Sequence, residues 1–408
     1  MDNEQLPKGY KNTEVGVIPE DWEVKAIGKY TDVTSGGTPS TLIREYWDGP
    51  IRWMNSGELN LKIVYEVENR ITELGLNESA TKLVPKNCVL IGLAGQGKTR
   101  GTVAINKVEL CTNQSIAAIL PSDEVFYEYL YYNLDSRYFE LRGLSTGDGG
   151  RGGLNLTIIK NLLIPLPPTK AEQTAIATAL SDADALINSL EKLIAKKRNI
   201  KQGAMQHLLK PKEGWEVKKL GEIAAFFKGK GLPKSHLKEN GKYKCIHYGE
   251  LFTKYKESIS SILSYTNENE NCFFSISNDV LMPTSDVTPN GLATASCIKQ
   301  DGIILGGDVL VIRILPSILD GLFLSFYVSQ NREKVMKLVS GSTVYHLYGS
   351  DMKDFEISYP KTEQQNEIAT ILSDMDAEIQ ALETKLEKYR KIKLGMMQVL
   401  LTGKVRLV

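Results

Sequence analysis

Residues 168–209 of this 408-residue chain occur twice. Moved forward by 192 positions they fall on 360–401, and 22 of the 42 aligned pairs are identical, among them Ile176-Ala177-Thr178 on Ile368-Ala369-Thr370 and Leu180-Ser181-Asp182 on Leu372-Ser373-Asp374. Such self-similarity marks an internal duplication, so the chain must fold as two related halves. Both copies carry a heptad stripe. Ile176, Leu180, Ala183, Ile187, Leu190 and Ile194 alternate steps of four and three, and Ile368, Leu372, Met375, Ile379, Leu382 and Leu386 repeat the register. Each stripe follows a proline and a capping-box pattern, Thr169 with Glu172 and Thr362 with Gln365. Pro211 with Gly214, and Gly403, mark the two ends.

About 40 residues at ~1.5 Å of rise make a rod of ~60 Å, too narrow to bury its own stripe. Burying a Leu or Ile contributes ~1.5–3 kcal/mol, whereas an exposed ion pair contributes ~0–1. The apolar seam therefore decides the pairing, and the two helices are expected to pack on each other in antiparallel fashion. Lys196, Lys197, Arg198, Lys388, Arg390 and Lys391 read as solvated flanks.

The duplication continues outside the helices. Trp22-Glu23-Val24-Lys25 with Gly28 recurs as Trp215-Glu216-Val217-Lys218 with Gly221, and an aromatic helix at 126–138 has a counterpart at 323–335. Between these landmarks the halves diverge. The expected order is a mixed globular part at 1–166, a helix at 167–210, a second globular part at 211–358 and a second helix at 359–408. The fold class is α+β with an internal pseudo-twofold repeat.

Zero net charge argues against an isolated nucleic-acid binder, and residues 1–160 are acidic, with 17 Lys plus Arg against 21 Asp plus Glu. Any DNA contact must come from local basic loops or be shared with partners. No apolar run approaches a membrane span, and the N-terminus has no basic-then-apolar signal. Five cysteines without Cys-x-x-Cys spacing suggest neither disulfides nor zinc, so the expected setting is cytoplasmic, with no metal and no cofactor.

Loops in both halves carry the candidate binding residues. In the first half, Ser35, Gly37 and Thr38 belong to the turn-rich run Ser35-Gly36-Gly37-Thr38-Pro39-Ser40. Residues 92–99, Gly-Leu-Ala-Gly-Gln-Gly-Lys-Thr, match a phosphate loop. The Arg100-Gly101-Thr102-Val103-Ala104-Ile105 that follows reads as a strand rather than a helix, and no magnesium-holding aspartate strand succeeds it. Gln96, Lys98, Thr99 and Arg100 instead suit a hairpin tip facing DNA, where lysine neutralises phosphate and Arg or Gln reads base edges. A solvated loop is the bland alternative. Arg151 lies in a glycine-rich run, either a connector or a segment ordered by a ligand. In the second half the candidates are Lys228, Lys230 and Lys234, then Ser285, Asp286 and Thr288, and finally Tyr345 and His346. Tyrosines of the 126–138 helix read as core. No Asn-Pro-Pro-Tyr methylation motif is present, Glu383-Thr384-Lys385 sits in the heptad helix, and four histidines lack ligand spacing. No catalysis is expected.

The opening Tyr10-Lys11-Asn12-Thr13-Glu14-Val15-Gly16-Val17-Ile18-Pro19-Glu20-Asp21-Trp22 resembles the start of DNA-specificity subunits of type I restriction-modification enzymes. So do the proline-rich approach to Glu172-Gln173, the run Gly203-Ala204-Met205-Gln206-His207-Leu208-Leu209, and Leu400-Leu401-Thr402-Gly403-Lys404. The resemblance spans the whole chain. It implies two target recognition domains that each read half of a split double-stranded DNA target, held apart by two conserved helices packed as an antiparallel coiled coil. It also implies docking of two methyltransferase subunits, recruitment of motor and nuclease subunits, and no activity alone. A protein-interaction scaffold with two binding heads is the rival from another class; an NTPase is a further one.

Overall fold

The computed structural model describes residues 6–95, 99–144 and 153–407. The chain divides into two compact units, Met1–Leu190 with Lys385–Val408 and Glu191–Thr384. Each unit takes one end of both long helices, Lys170–Leu208 and Thr362–Leu400.

In the first unit a five-stranded sheet runs in the order Val33–Ser35, Ile116–Ile119, Val89–Gly92, Val103–Asn106, Ile63–Val64. Its central strands are buried on both faces and apolar but for Asn106. Val89, Ile91, Val103 and Ile105 face a core shared with Tyr129 of the helix Tyr127–Ser136 and with Ile176 and Leu180 of the first long helix. Leu90, Ala104, Ile116 and Ala118 alternate to the other face and pack on Met54, Leu59 and Val84. A four-stranded sheet follows in the order Asn69–Ile71, Trp47–Met54, Leu110–Thr112, Leu83–Val84.

The second unit repeats this strand order. Its five-stranded sheet runs Ala224–Lys228, Val309–Ile314, Val280–Pro283, Ser296–Ile298, Ser258–Ile259, and its four-stranded sheet Ser264–Thr266, Tyr243–Ile246, Ile304–Leu305, Phe273–Phe274. Sequence divergence between the landmarks therefore hides one topology. Of the tyrosines expected in the core, Tyr129, Tyr131 and Tyr132 are buried, whereas Tyr127 and Tyr138 are half-buried.

The helices pair in antiparallel fashion within each unit. In the first, Ile176 and Leu180 share a core with Leu400 and Leu401, and Lys393 meets Asp184 at 2.6 Å. In the second, Met205 and Leu209 share a core with Ile368 and Leu372, and Lys201 meets Asp376 at 2.6 Å. Ile187, Leu190, Ile194, Ile379 and Leu386 of the seam are buried, while Ala183, Met375 and Leu382 are half-buried.

The capping boxes form only in part. Thr169 accepts the Glu172 N–H at 3.2 Å, but the Glu172 carboxylate turns to Arg406. Thr362 is the first helical residue and caps nothing, its hydroxyl donating to the Ser317 carbonyl at 3.4 Å. Gln365 binds outward instead. It accepts the Asp320 N–H at 2.8 Å and donates to the carbonyls of Ile318 and Pro360. Gln173 does the same in the first unit, accepting the Phe126 N–H at 2.8 Å and donating to the carbonyls of Glu124 and Pro167. These buried amides fasten each helix start to the globular part beside it.

Candidate nucleic-acid interface

In the first unit, strands Trp47–Met54 and Leu110–Thr112 are parallel and end side by side, with Thr112 opposite Met54. The chain consequently leaves both at one edge, where the Asn113 N–H donates to the Met54 carbonyl at 3.0 Å. The Ser35 loop closes on the same edge. Gly37 donates its N–H to the Thr112 carbonyl at 2.9 Å and accepts the Trp53 indole N–H at 2.9 Å. A Cβ on Gly36 would lie 1.8 Å from the Thr112 oxygen, so only glycine fits there. Gly37 is thus buried and holds the loop, while Thr38 is exposed and donates to the Gln114 side chain at 2.6 Å.

The strands on either side of the phosphate-loop pattern pair with each other. Val89–Gly92 and Val103–Asn106 pair antiparallel, and Gly101 donates to the Gly92 carbonyl at 2.9 Å. No helix opens after Thr99 among the described residues, so the helix N-terminus that an NTPase points at its phosphates is not found there. Thr99 donates to the Ala94 carbonyl at 3.3 Å, and the Arg100 carbonyl accepts from Arg142 at 3.4 Å. Gln96, Lys98 and Arg151 lie outside the described residues. The Leu93 N–H donates to the Ser115 carbonyl at 2.8 Å, which brings the hairpin to the edge that carries Asn113 and Gln114.

The second unit builds the same edge with charge. Cys245–Ile246 runs parallel to Ile304–Leu305, and Gly306 donates to the Ile246 carbonyl at 2.9 Å. The Lys228 loop packs against it, with the Lys230 N–H on the Leu305 carbonyl at 2.9 Å. A Cβ on Gly229 would sit 2.0 Å from the Gly306 oxygen. Lys228, Lys230 and Lys234 are exposed; Lys228 pairs with Asp308 at 3.2 Å, and Lys230 donates to Asn271 at 2.7 Å.

Ser285–Asp286 and Tyr345–His346 come together as neighbouring strands, joined by Ser340–Gly341. Asp286 accepts from the Val287 N–H and the Thr288 hydroxyl, each at 2.7 Å. His346 stacks on Tyr348 at 5.7 Å, and Tyr348 lines a cleft of ≈ 480 Å³ with Lys228, Thr284 and Lys353.

Two residues that the sequence reading passed over stand at the centre of these edges. Asn55 and His247 each follow the first strand of the parallel pair, and the runs Gly57-Glu58-Leu59 and Gly249-Glu250-Leu251 share the 192-residue offset of the helices. That shared Gly-Glu-Leu was the available signal. Burial lowers the His247 pKa from its usual value, against the raising influence of Glu250. Cys88, Cys245 and Cys297 are thiols that burial pushes up to about 12, and Cys111 to about 11, which leaves them unreactive near neutral pH. No group of three or more metal-binding side chains occurs among the described residues. No helix there is long and apolar enough to cross a membrane.

Two mixed sheet units sharing a pair of antiparallel helices define a duplicated specificity-type architecture. The chain belongs to the type I restriction modification DNA specificity domain family, whose model matches residues 19–202 and 212–390. It is 34% identical over 272 residues to the MjaIX type I restriction enzyme specificity subunit of Methanocaldococcus jannaschii, an alignment spanning 59% of this chain and 61% of that protein. It is 26% identical to the putative MjaX specificity subunit of the same organism, over 98% of this chain and 97% of that one. The type I S subunit from M. genitalium has the same fold, with a TM-score of 0.61 at 18% identity, covering 93% of this chain and 96% of that one. As a member of this family the chain is a specificity subunit with two target recognition domains, which recognises rather than catalyses.

Proposed function

We propose that each unit reads one half of a bipartite, asymmetric duplex target, and that the long helices dock methyltransferase subunits of a type I restriction-modification complex. The supporting observation is one strand order carrying two unlike edges. Thr38 and Gln114 make a neutral pair in the first unit, where Lys228 and Asp308 make a charged one in the second. Unlike hydrogen-bonding groups on a common scaffold read unlike base edges. Ser35, Thr38, Thr99 and Arg100 contribute to one reading edge, together with Gln96, Lys98 and Arg151. Lys228, Lys230, Lys234, Ser285, Thr288, Tyr345 and His346 contribute to the other.

Partner docking is supported by apolar positions outside the seam. Leu193 and Ile200, seven residues apart on the first helix, are 38% and 46% exposed, and Leu394 of the second is 58% exposed. One solved structure of similar fold, with a TM-score of 0.55 and 13% identity, concerns complex assembly and conformational transition of a type I system. Zero net charge fits a DNA affinity shared with partner subunits, including motor and nuclease subunits.

Methylome sequencing of cells expressing the chain with its methyltransferase partner is expected to give a motif with two unrelated halves around an unread gap. A palindromic motif, or one without a gap, would overturn the reading. A salt-dependent, sequence-selective shift of duplex DNA by the same complex is expected, and its absence would favour the protein-interaction scaffold.

A further inference from the structure

Asn55 and His247 occupy the same place in the two units and are held in the same way. The Asn55 Oδ1 accepts the Gly57 N–H at 2.8 Å, and the His247 Nδ1 accepts the Gly249 N–H at 3.2 Å. In return Glu58 accepts the Asn55 N–H and Glu250 accepts the His247 N–H, each at 2.8 Å. Those bonds decide which atoms face outward. With its oxygen on Gly57, the Asn55 amide presents Nδ2 and its two protons. With Nδ1 accepting, neutral His247 carries its proton on Nε2. Neither Nδ2 nor Nε2 has a hydrogen-bond partner among the described residues. Both side chains are half-buried and sit where the candidate loops converge, Asn55 beside Asn113 and His247 beside Gly306.

Two chemically different side chains thus leave one fixed donor each at equivalent positions. A turn needs only the acceptor, which Ser, Thr or Asp supplies as well. The donor is surplus to the fold. We propose that Asn55 and His247 are specificity-determining residues, each donating to the acceptor edge of one base pair in its half-site: guanine N7 or O6, adenine N7 or thymine O4. This rests on the reading of the two units as DNA readers. Because the turn locks each side chain before DNA arrives, little ordering is required on binding. Discrimination against a base that offers no acceptor there is expected to be roughly 10- to 100-fold.

The test uses the chain assembled with its methyltransferase partner and a randomised duplex library, with bound sequences counted for wild type and variants. Asn55→Asp keeps the acceptor for Gly57 and the size of the side chain but replaces the donor. It is expected to change base frequency about tenfold or more at one position of one half-site, with the other half unaltered. His247→Asn, which keeps both acceptor and donor, is expected to retain preference at its position in the other half, and His247→Ser to lose it. Thermal midpoints measured alongside identify any variant that fails to fold, and Asn55→Ser then replaces Asn55→Asp. Unchanged base frequencies in folded Asn55→Asp and His247→Ser, with a wild type that selects a motif, would overturn the inference alone. A wild type that selects no sequence would overturn the underlying reading.

Discussion

Lys393 on the second long helix reaches Asp184 on the first at 2.6 Å, and its ammonium lies 5.4 Å from the centre of the Tyr132 ring. Lys201, Asp376 and Phe326 repeat this triad in the other unit, with 2.6 Å and 5.3 Å. Lys201 aligns with Lys393 and Asp184 with Asp376, so the duplication exchanges which helix supplies each partner.

These pairs are only 14–16% exposed on the lysine side. Burial raises the Asp376 pKa even with Lys201 beside it, showing that desolvation outweighs the attraction. Removing the lysine strands a carboxylate in that setting. Lys201→Ala is expected to cost about 2 kcal/mol and Asp376→Asn less, because Glu257 remains 3.6 Å from Lys201. Denaturant unfolding of the two variants checks the order.

Gln173 and Gln365 each satisfy two carbonyls and one N–H at a helix start. Glutamate in either place keeps the acceptor and loses both donors. Gln365→Glu and Gln173→Glu are each expected to destabilise by about 2–3 kcal/mol, through unsatisfied buried carbonyls and a desolvated charge. Thermal unfolding of each variant against wild type measures it.

Gly36 and Gly229 have backbone oxygens within 1.8 Å and 2.0 Å of where a Cβ would stand. Alanine at either position forces the loop away from the strand it closes on. A loss of about 1–3 kcal/mol is expected, with hydrogen exchange rising at the Gly37 amide for Gly36→Ala and at the Lys230 amide for Gly229→Ala.

His247 titrates below its ordinary value because burial disfavours the cation. The unfolded chain therefore takes up the proton first. The stability that neutral His247 contributes is full above about pH 6.5 and falls as pH drops below it toward the folded pKa. His247→Asn should lack this component. Unfolding free energies of both proteins from pH 5 to pH 8 provide the check.

The helices were legible because a heptad stripe needs only apolar spacing, and Ile176, Leu180, Ile368 and Leu372 are buried where that spacing places them. Gln365 was misread because a capping box and a tertiary amide clasp use the same residue types; only the carbonyl of Ile318, brought in by the fold, distinguishes them. Gly37 read as a loop residue, yet its polar groups are occupied by Thr112 and Trp53, both distant in sequence. Asn55 and His247 escaped notice because their shared environment is written in the Gly-Glu that follows, not in their own identities.

The first unit is assembled from two stretches far apart in sequence. Tyr10 donates to the Gly403 carbonyl at 3.1 Å, and Arg406 grips Asp21 at 2.9 Å together with Glu172. Glu191–Thr384 is one unbroken stretch. Emerging from the ribosome, the later-numbered unit can therefore mature before the earlier one. The first unit must wait, unsealed, until residues 385–408 have followed, so the part made earlier is finished later.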